Sequence, residues 1–344
     1  MYNIEFYLTS EIGNLKDIWL DLEKGKDMTY FQSYDWYKFI IQYQPLNNSY
    51  FEGIISVVKK EEAVLLIAPL WVIKKRYKFI NKKSCYFLGR NGWSDYLNVI
   101  YKQFDVEAFN YLLNSVSHKY GINEFYFEQI KGNSNFYNYL LNNKAKILNT
   151  TNCVELNLSK LTFEEYISNL TKNTKQNIRT AYNRARKDGL NIILNFDDKE
   201  IDKELCESIR SYRVAKKNIE HNLLNIIKNK IYKILSISYP KYLPFYNTSR
   251  SSIMSIYDGD NLMAFFNYGI DIHHRTIVVM AVGTNEQYER YSPGILLMYN
   301  FIDYIIKNKM YTVLDFTRGN EKYKYSLGGK DHFIYNFRLM VEND

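Results

Sequence analysis

The sequence predicts a mixed α+β protein of two tandem domains, each a mostly antiparallel mixed sheet flanked by helices. Three observations carry this expectation. The chain has 344 residues, enough for two domains of ordinary size. Short apolar runs bounded by turn residues alternate with stretches of helical period along its whole length. The two halves repeat one order of elements: helices, a hairpin, a helix, then a strand. The division is expected after residue 155, giving domains 1–155 and 156–344.

In the first half, Ile4–Leu8 reads as a strand. Asn14–Lys24 reads as a helix with Leu15, Ile18, Trp19 and Leu22 on one face. Ser33 is placed to cap a helix carrying Trp36, Phe39 and Ile40. Gly53–Lys59 and Ala63–Ile73 form a hairpin through Lys60-Glu61-Glu62, and Cys85–Leu88 a buried strand. A loop with two glycines, Gly89 to Tyr96, precedes a helix over Val106–Tyr120 and a strand over Glu124–Ile130. Cys153–Leu158 closes this half or bridges to the next. The second half starts with Phe163–Leu170, the basic helix Lys172–Lys187 and the strand Asn191–Phe196. A mostly helical stretch, Lys203–Ser238, comes next. Ser251–Tyr257, Asn261–Asp271 and Arg275–Gly283 form an antiparallel meander with Asp258-Gly259-Asp260 at its first turn. Pro293–Asn308 is a helix, and Val313–Phe316 and Phe333–Met340 are strands.

Composition bounds the function. Apolar residues make up 46% and charged residues 24%, as in a globular protein. The net charge is +8, from 45 basic and 37 acidic residues. That excess suits an anionic ligand such as a nucleotide, CoA or a phosphorylated sugar, and it does not demand nucleic acid. Cys85, Cys153 and Cys206 are far apart, with no CxxC pair, so neither a disulfide framework nor a metal site is expected. The first residues lack a basic segment followed by an apolar run. The longest apolar stretch, Ala63–Ile73, contains Pro69 and is too short to span a bilayer. A soluble cytoplasmic protein is expected, with contact at the inner membrane face left open.

Four constellations carry chemistry. On the helix Lys172–Lys187, the residues Lys172, Lys175, Arg179 and Arg186 fall within about 60° of one another. They make either a solvated face or a wall for phosphate, since arginine forks suit phosphate oxygens. The turn Tyr288–Gly294 places Pro293 and Gly294 at a helix start, where open amides attract anions unless the turn is merely a Ser-Pro helix start. In the block Val313–Gly329, Lys324 is a candidate electrophile, and Tyr323 and Tyr325 are candidate proton donors. Arg318 either orients Asp315 or binds phosphate; the alternative is a structural pair amid packed tyrosines. In Ser94-Asp95-Tyr96, Asp95 is a candidate general base, or a turn residue. His273-His274 falls in a hairpin turn.

These pieces together resemble the GNAT acyltransferase superfamily, in particular its BioF2-like or CelD-like branch, akin to the Fem aminoacyl-transferases. The matching segments are Arg184-Ala185-Arg186, Tyr291 to Leu297 and Leu314 to Lys324, with Phe31–Trp36, Ala68-Pro69-Leu70 and Ser94-Asp95-Tyr96 in the first half. The resemblance implies two GNAT-like domains, the first degenerate and the second holding the acyl donor between splayed strands. The donor is acetyl-CoA or another acyl-CoA, with its pyrophosphate on the loop Arg290–Ile295, where Arg290, Ser292, Gly294 and Ile295 bind. Relative to the family's Gln/Arg-x-x-Gly-x-Gly/Ala pattern, the spacing here differs by one residue, Pro293 intrudes and the last small residue is missing. A backbone N–H near Val282 and the Lys324 ammonium would face the oxyanion. Tyr323-Lys324 matches the aromatic-lysine pair of Fem relatives, which use aminoacyl-tRNA. Arg179, Arg186, Asp315 and Arg318 would bind substrate. The implied activity is transfer of an acyl group to an amine of an amino sugar, nucleotide-linked sugar or cell-envelope precursor. The alternatives are an aminoacyl-tRNA-dependent transferase and a non-catalytic module that binds glycans.

Overall fold

The computed structural model describes residues 1–43, 51–77, 80–90, 93–210 and 248–341. The chain packs as two compact units, Met1–Cys153 with His332–Asp344, and Val154–Asp331. Each holds a mostly antiparallel mixed sheet flanked by helices, as the sequence predicts.

In the first unit, β1 (Tyr2–Leu8), β2 (Phe51–Lys60), β3 (Ala63–Tyr77) and β4 (Ile80–Phe87) form an antiparallel meander. The β2–β3 turn places Glu61 at φ 57. A 3-10 turn over Thr9–Leu15 leads into α1 (Lys16–Leu22), so the first expected helix starts later than its apolar pattern does. In α2 (Tyr34–Tyr43), Ser33 Oγ accepts the Trp36 N–H at 3.2 Å, the expected cap. The short β5 (Ile100–Tyr101) pairs with β3. The bounds of α3 (Val106–Tyr120) are set at both ends: Asp105 accepts from the Ala108 N–H, and Gly121 closes the helix at φ 63. Strand β6 (Glu124–Lys131) then pairs in parallel with β4, through Cys85–Phe125 and Tyr86–Tyr126. Helix α4 (Asn135–Asn142) follows, capped by Ser134. Next comes β7 (Lys146–Asn157), whose last residues belong to the second unit.

The second unit repeats this order. Thr162 and Glu165 form a reciprocal capping box on α5 (Phe163–Asn169), and Thr171 caps α6 (Lys172–Lys187). Strands β8 (Ile192–Asn195), β9 (Ser251–Asp258), β10 (Asn261–Asp271) and β11 (Thr276–Thr284) are antiparallel neighbours. Helix α7 (Pro293–Asn308) returns the chain to β12 (Val313–Arg318), parallel to β11. Helices α5, α6 and α7 cover one face of this sheet, around a core that includes Ile178, Met263, Phe266, Leu297 and Phe301. A bulge between Leu262 and Ala264 turns Met263 and Ala264 toward that core together, while Phe265 packs with Cys206 and Ile253 in a second cluster. The helix expected over Lys203–Ser238 is described for 203–210; its remainder lies outside the described residues, as do Asn91 and Gly92 of the glycine loop. Residues Lys322–Ser326 form a short helix, α8, and β13 (Lys330–Met340) ends the described chain and pairs with β6.

Candidate active site

The site grows from the parting of β11 and β12. Their parallel ladder covers Thr276–Val278 against Val313–Asp315, and then the strands diverge. Asp315 sits buried at the point of departure, where its Oδ1 accepts the Thr317 N–H at 2.7 Å. Thr317 takes a left-handed φ of 58, and its hydroxyl donates to Val279 O at 3.1 Å. A β-branched residue is rarely held there, so the surrounding bonds must fix the turn. Asp315 and Thr317 thus build the strand exit.

Lys324 completes that exit. The residue is 2% exposed, and its ammonium donates to the carbonyls of Thr317 (3.3 Å), Arg318 (2.7 Å) and Gly319 (3.2 Å). It also lies 3.0 Å from Glu321 Oε2. Three ammonium hydrogens serve these four acceptors, so Lys324 holds the turn that carries Arg318 and Glu321. The residues on either side of it follow helical geometry. At about 100° per residue, Tyr323 and Tyr325 leave α8 on different faces. Tyr323 packs edge-on against Phe316, whereas the Tyr325 hydroxyl donates to Asp331 at 2.7 Å.

Two clefts open where the strands part. One, of about 250 Å³, is lined by Arg210, Met280, Val282, Arg318, Glu321, Tyr323 and Lys324, among others. The other, of about 220 Å³, lies at the start of α7, between Val282 and Thr284 of β11 and the residues Ser292 to Ile295. Val282 and Tyr323 line both. At the second cleft Ser292 has φ 49, and its side chain does not cap the helix. Pro293 has no N–H, so Gly294 supplies the first amide of the helix. A Cβ on Gly294 would come 3.3 Å from Thr284 Oγ1, so glycine keeps this wall open.

The loop ahead of α7 is tied to α6. Asp188 Oδ2 pairs with Arg290 Nη2 at 2.9 Å and accepts the Tyr291 hydroxyl at 2.9 Å. That bond to a carboxylate raises the Tyr291 pKa. Arg184 donates to Arg290 O at 3.0 Å. Arg290 therefore sits beside the cleft in an ion pair, and Arg179 and Arg186 are exposed on α6 outside both linings. Asp95 belongs to the first unit and is half-buried between Ser94, which accepts the Trp36 Nε1–H at 2.8 Å, and Tyr96, whose hydroxyl meets His332 at 2.8 Å. It lines neither cleft. The structure thus brings Val282, Ser292, Gly294, Ile295, Arg318, Tyr323 and Lys324 together. It adds Glu321, Glu289, Thr284 and Arg210, which sequence reasoning gave no role. Among the described residues no group of acidic, histidine or cysteine side chains is arranged to hold a metal ion. Among them no helix is long and apolar enough to cross a membrane.

Residues 250–325 match the family of acetyltransferase (GNAT) domains, a span that runs from β9 to α8 and contains nearly all of both linings. This match supports an N-acyltransferase, with a GNAT-type domain in the second unit. Solved structures share the fold along nearly the whole chain. FemX matches with a TM-score of 0.56 at 11% identity, over 98% of this chain and 97% of that one. The C-terminal domain of a putative lysylphosphatidylglycerol synthetase from Agrobacterium fabrum gives 0.52 at 10%, over 95% and 92%. A tandem GNAT protein from the clavulanic acid biosynthesis pathway gives 0.51 at 9%, over all of both chains. No curated protein matches the sequence significantly. The chain thus shares its overall fold with FemX and with a tandem GNAT protein, and its residues 250–325 match the GNAT domain family.

Proposed function

We propose that the protein transfers an acyl group from acetyl-CoA or another acyl-CoA to an amine of an amino sugar, nucleotide-linked sugar or cell-envelope precursor, by direct attack on the thioester. The observation that carries this reading is the pair of clefts meeting at Val282 and Tyr323. Two substrates seated in them would touch where the strands part. The cleft at α7 suits the donor, because an uncapped helix start favours phosphate and the Val282, Ile295 and Met298 wall favours an acyl-pantetheine arm. The cleft beside α8 suits the acceptor. Donors of this kind are made in the cytoplasm, where we place the protein.

In the reaction the acceptor ammonium loses one proton to a carboxylate, and its nitrogen then bonds to the thioester carbon as the carbonyl oxygen takes the charge. The C–S bond breaks as the oxyanion collapses and the sulfur takes a proton from Tyr323, and the second proton of the nitrogen passes to the Tyr323 oxygen and restores its hydroxyl. The sequence reading makes Asp95 the base, but Asp95 lies in the first unit and lines neither cleft, so we assign the base to Glu321, the carboxylate that lines the acceptor cleft. A Val282 backbone N–H and the Lys324 charge face the oxyanion; one preorganised donor contributes about 3 kcal/mol. Arg318 stands on the acceptor side and Asp315 fixes the strand exit that carries it, Ser292, Gly294 and Ile295 line the donor side with Arg290 beside it, and Arg179 and Arg186 stay outside both linings. We assign the donor site to the domain 156–344 and a degenerate copy to 1–155. Two features of the first unit support this. Its equivalent helix, α3, starts on the Asp105 carboxylate, which repels anions. Its parting strands are flanked by the bidentate Arg90–Glu128 pair, at 2.6 and 2.8 Å.

One observation favours a second reading. Arg290 is already paired with Asp188, which suits an aminoacyl-tRNA donor with no pyrophosphate at this loop. Calorimetric titration of acetyl-CoA into the pure protein decides between them. Saturable micromolar binding, weakened by Gly294→Val, supports the CoA reading, and absence of binding to acetyl-CoA and longer acyl-CoAs overturns it.

A further inference from the structure

Glu289 and Arg290 are neighbours in the chain and meet different surroundings. Arg290 pairs with Asp188 at the end of α6 and lines neither cleft. Glu289 lines the donor cleft, together with Ser292 and Gly294 at the start of α7. It is the one charged residue among the described residues of that lining, and its carboxylate has no ion pair or hydrogen bond among the described residues. The loop thus presents an acid at the place where an open helix start would draw phosphate.

Local structure fixes this arrangement. Asn285 opens the 3-10 turn Glu286–Tyr291: its Oδ1 accepts the Gln287 N–H at 3.1 Å, and its Nδ2 donates to Leu262 O at 3.1 Å. The turn closes where Glu289 O accepts the Ser292 N–H at 3.0 Å, with Ser292 left-handed at φ 49. These bonds hold the backbone on both sides of Glu289. The helix start offers a phosphate about half an elementary positive charge, and the carboxylate opposes it with a full negative one. What remains to hold a donor is the wall of Val282, Ile295 and Met298, which suits its neutral and apolar parts.

We infer that Glu289 is the specificity-determining residue of the donor cleft. It offsets the pull of the helix start on phosphate, so that a donor is chosen by its acyl group and pantetheine arm and gains little from the phosphates beyond them. The donor class is the pantetheine thioesters, acyl-CoA among them. This rests on the acyl-CoA reading for the nature of the donor.

Three probes with one acyl group separate the arm from the phosphates: S-acetylpantetheine, its 4′-phosphate and acetyl-CoA, each titrated calorimetrically into the full chain. The native protein should bind all three within about threefold of one another. Glu289→Gln keeps the size of the side chain and removes its charge. It should tighten the two phosphorylated probes about fivefold or more and leave S-acetylpantetheine within about twofold. Glu289→Lys should extend the gain, and raised salt should shrink it in both variants. Thermal unfolding of each variant reports whether it has folded. A native preference of about tenfold or more for the phosphorylated probes, or an equal change for all three in Glu289→Gln, overturns the inference and leaves the acyl-CoA reading standing. A native protein that takes S-acetylpantetheine and rejects acetyl-CoA, with the rejection lifted in Glu289→Gln, keeps the inference and sinks the acyl-CoA reading. Silence of every variant toward every probe overturns both.

Discussion

At the scale of single residues, the proposed reaction divides the site's side chains into those that would react and those that hold. Tyr323 lines both clefts and packs on Phe316, so Tyr323→Phe removes one hydroxyl with little change in packing. It should lower kcat by about 10²-fold or more, in the range of a lost general acid, with the denaturation midpoint unchanged. Tyr325 spends its hydroxyl on Asp331, away from the linings, so Tyr325→Phe should keep kcat within about twofold. Equal losses in the two variants would mean that Tyr323 has no special role. Lys324→Met is a different experiment. It strips donors from carbonyls around a residue that is 2% exposed, at about 1–3 kcal/mol for each one left buried and unpaired. A midpoint lowered by an equivalent of several kcal/mol, together with lost activity, is the expected result. Activity lost at full stability would instead make the ammonium a direct participant.

At the scale of elements, the decisive connection is the tie between α6 and the loop ahead of α7. Asp188 closes α6 and holds both Arg290 and Tyr291, and Arg184 holds the Arg290 carbonyl. On the acyl-transfer reading, in which this loop binds the donor and takes no part in the chemistry, Asp188→Ala should let the loop move and raise the donor KM about tenfold with a smaller effect on kcat. An unchanged KM would show that Ser292 and Pro293 alone fix it. This tie also marks the limit of what the sequence makes legible. The bounds of α3, α6 and α7 could be read directly, because an Asp, a Thr and a Pro open them and apolar residues recur at helical spacing through them. Helix α8 could not, because five residues are too few to show a period, and the sequence alone does not separate Tyr325 from Tyr323. The Asp188–Tyr291 bond joins residues 103 apart, and no local pattern announces it. Glu321 was hidden for a related reason: it reads as an exposed turn residue until the parting strands place it in a cleft.

At the scale of the whole molecule, both units bury tyrosines, and this makes stability depend on alkaline pH. Burial pushes Tyr86 and Tyr139 in the first unit, and Tyr268 in the second, up to about 12 from the ordinary value of 10.0. All three are at least 94% buried by area, which leaves little solvent to support a phenolate. The folded state therefore retains protons that the unfolded chain gives up. Between the unfolded and folded values the unfolded state binds fewer protons, so the free energy of unfolding falls as pH rises. The contribution is fully present below pH 10 and is lost progressively toward pH 12. Near pH 11, one unit above the unfolded value, the loss is roughly 1 kcal/mol for each such tyrosine. Urea denaturation at pH 8 and pH 11, followed by tryptophan fluorescence, should show the midpoint dropping between them. Tyr268→Phe should flatten the drop, because it removes one of the groups that ionise, while the pH 8 value also registers the loss of its hydrogen bond to Phe196 O. A midpoint that is the same at both pH values would mean that these phenols reach solvent far more readily than their packing indicates.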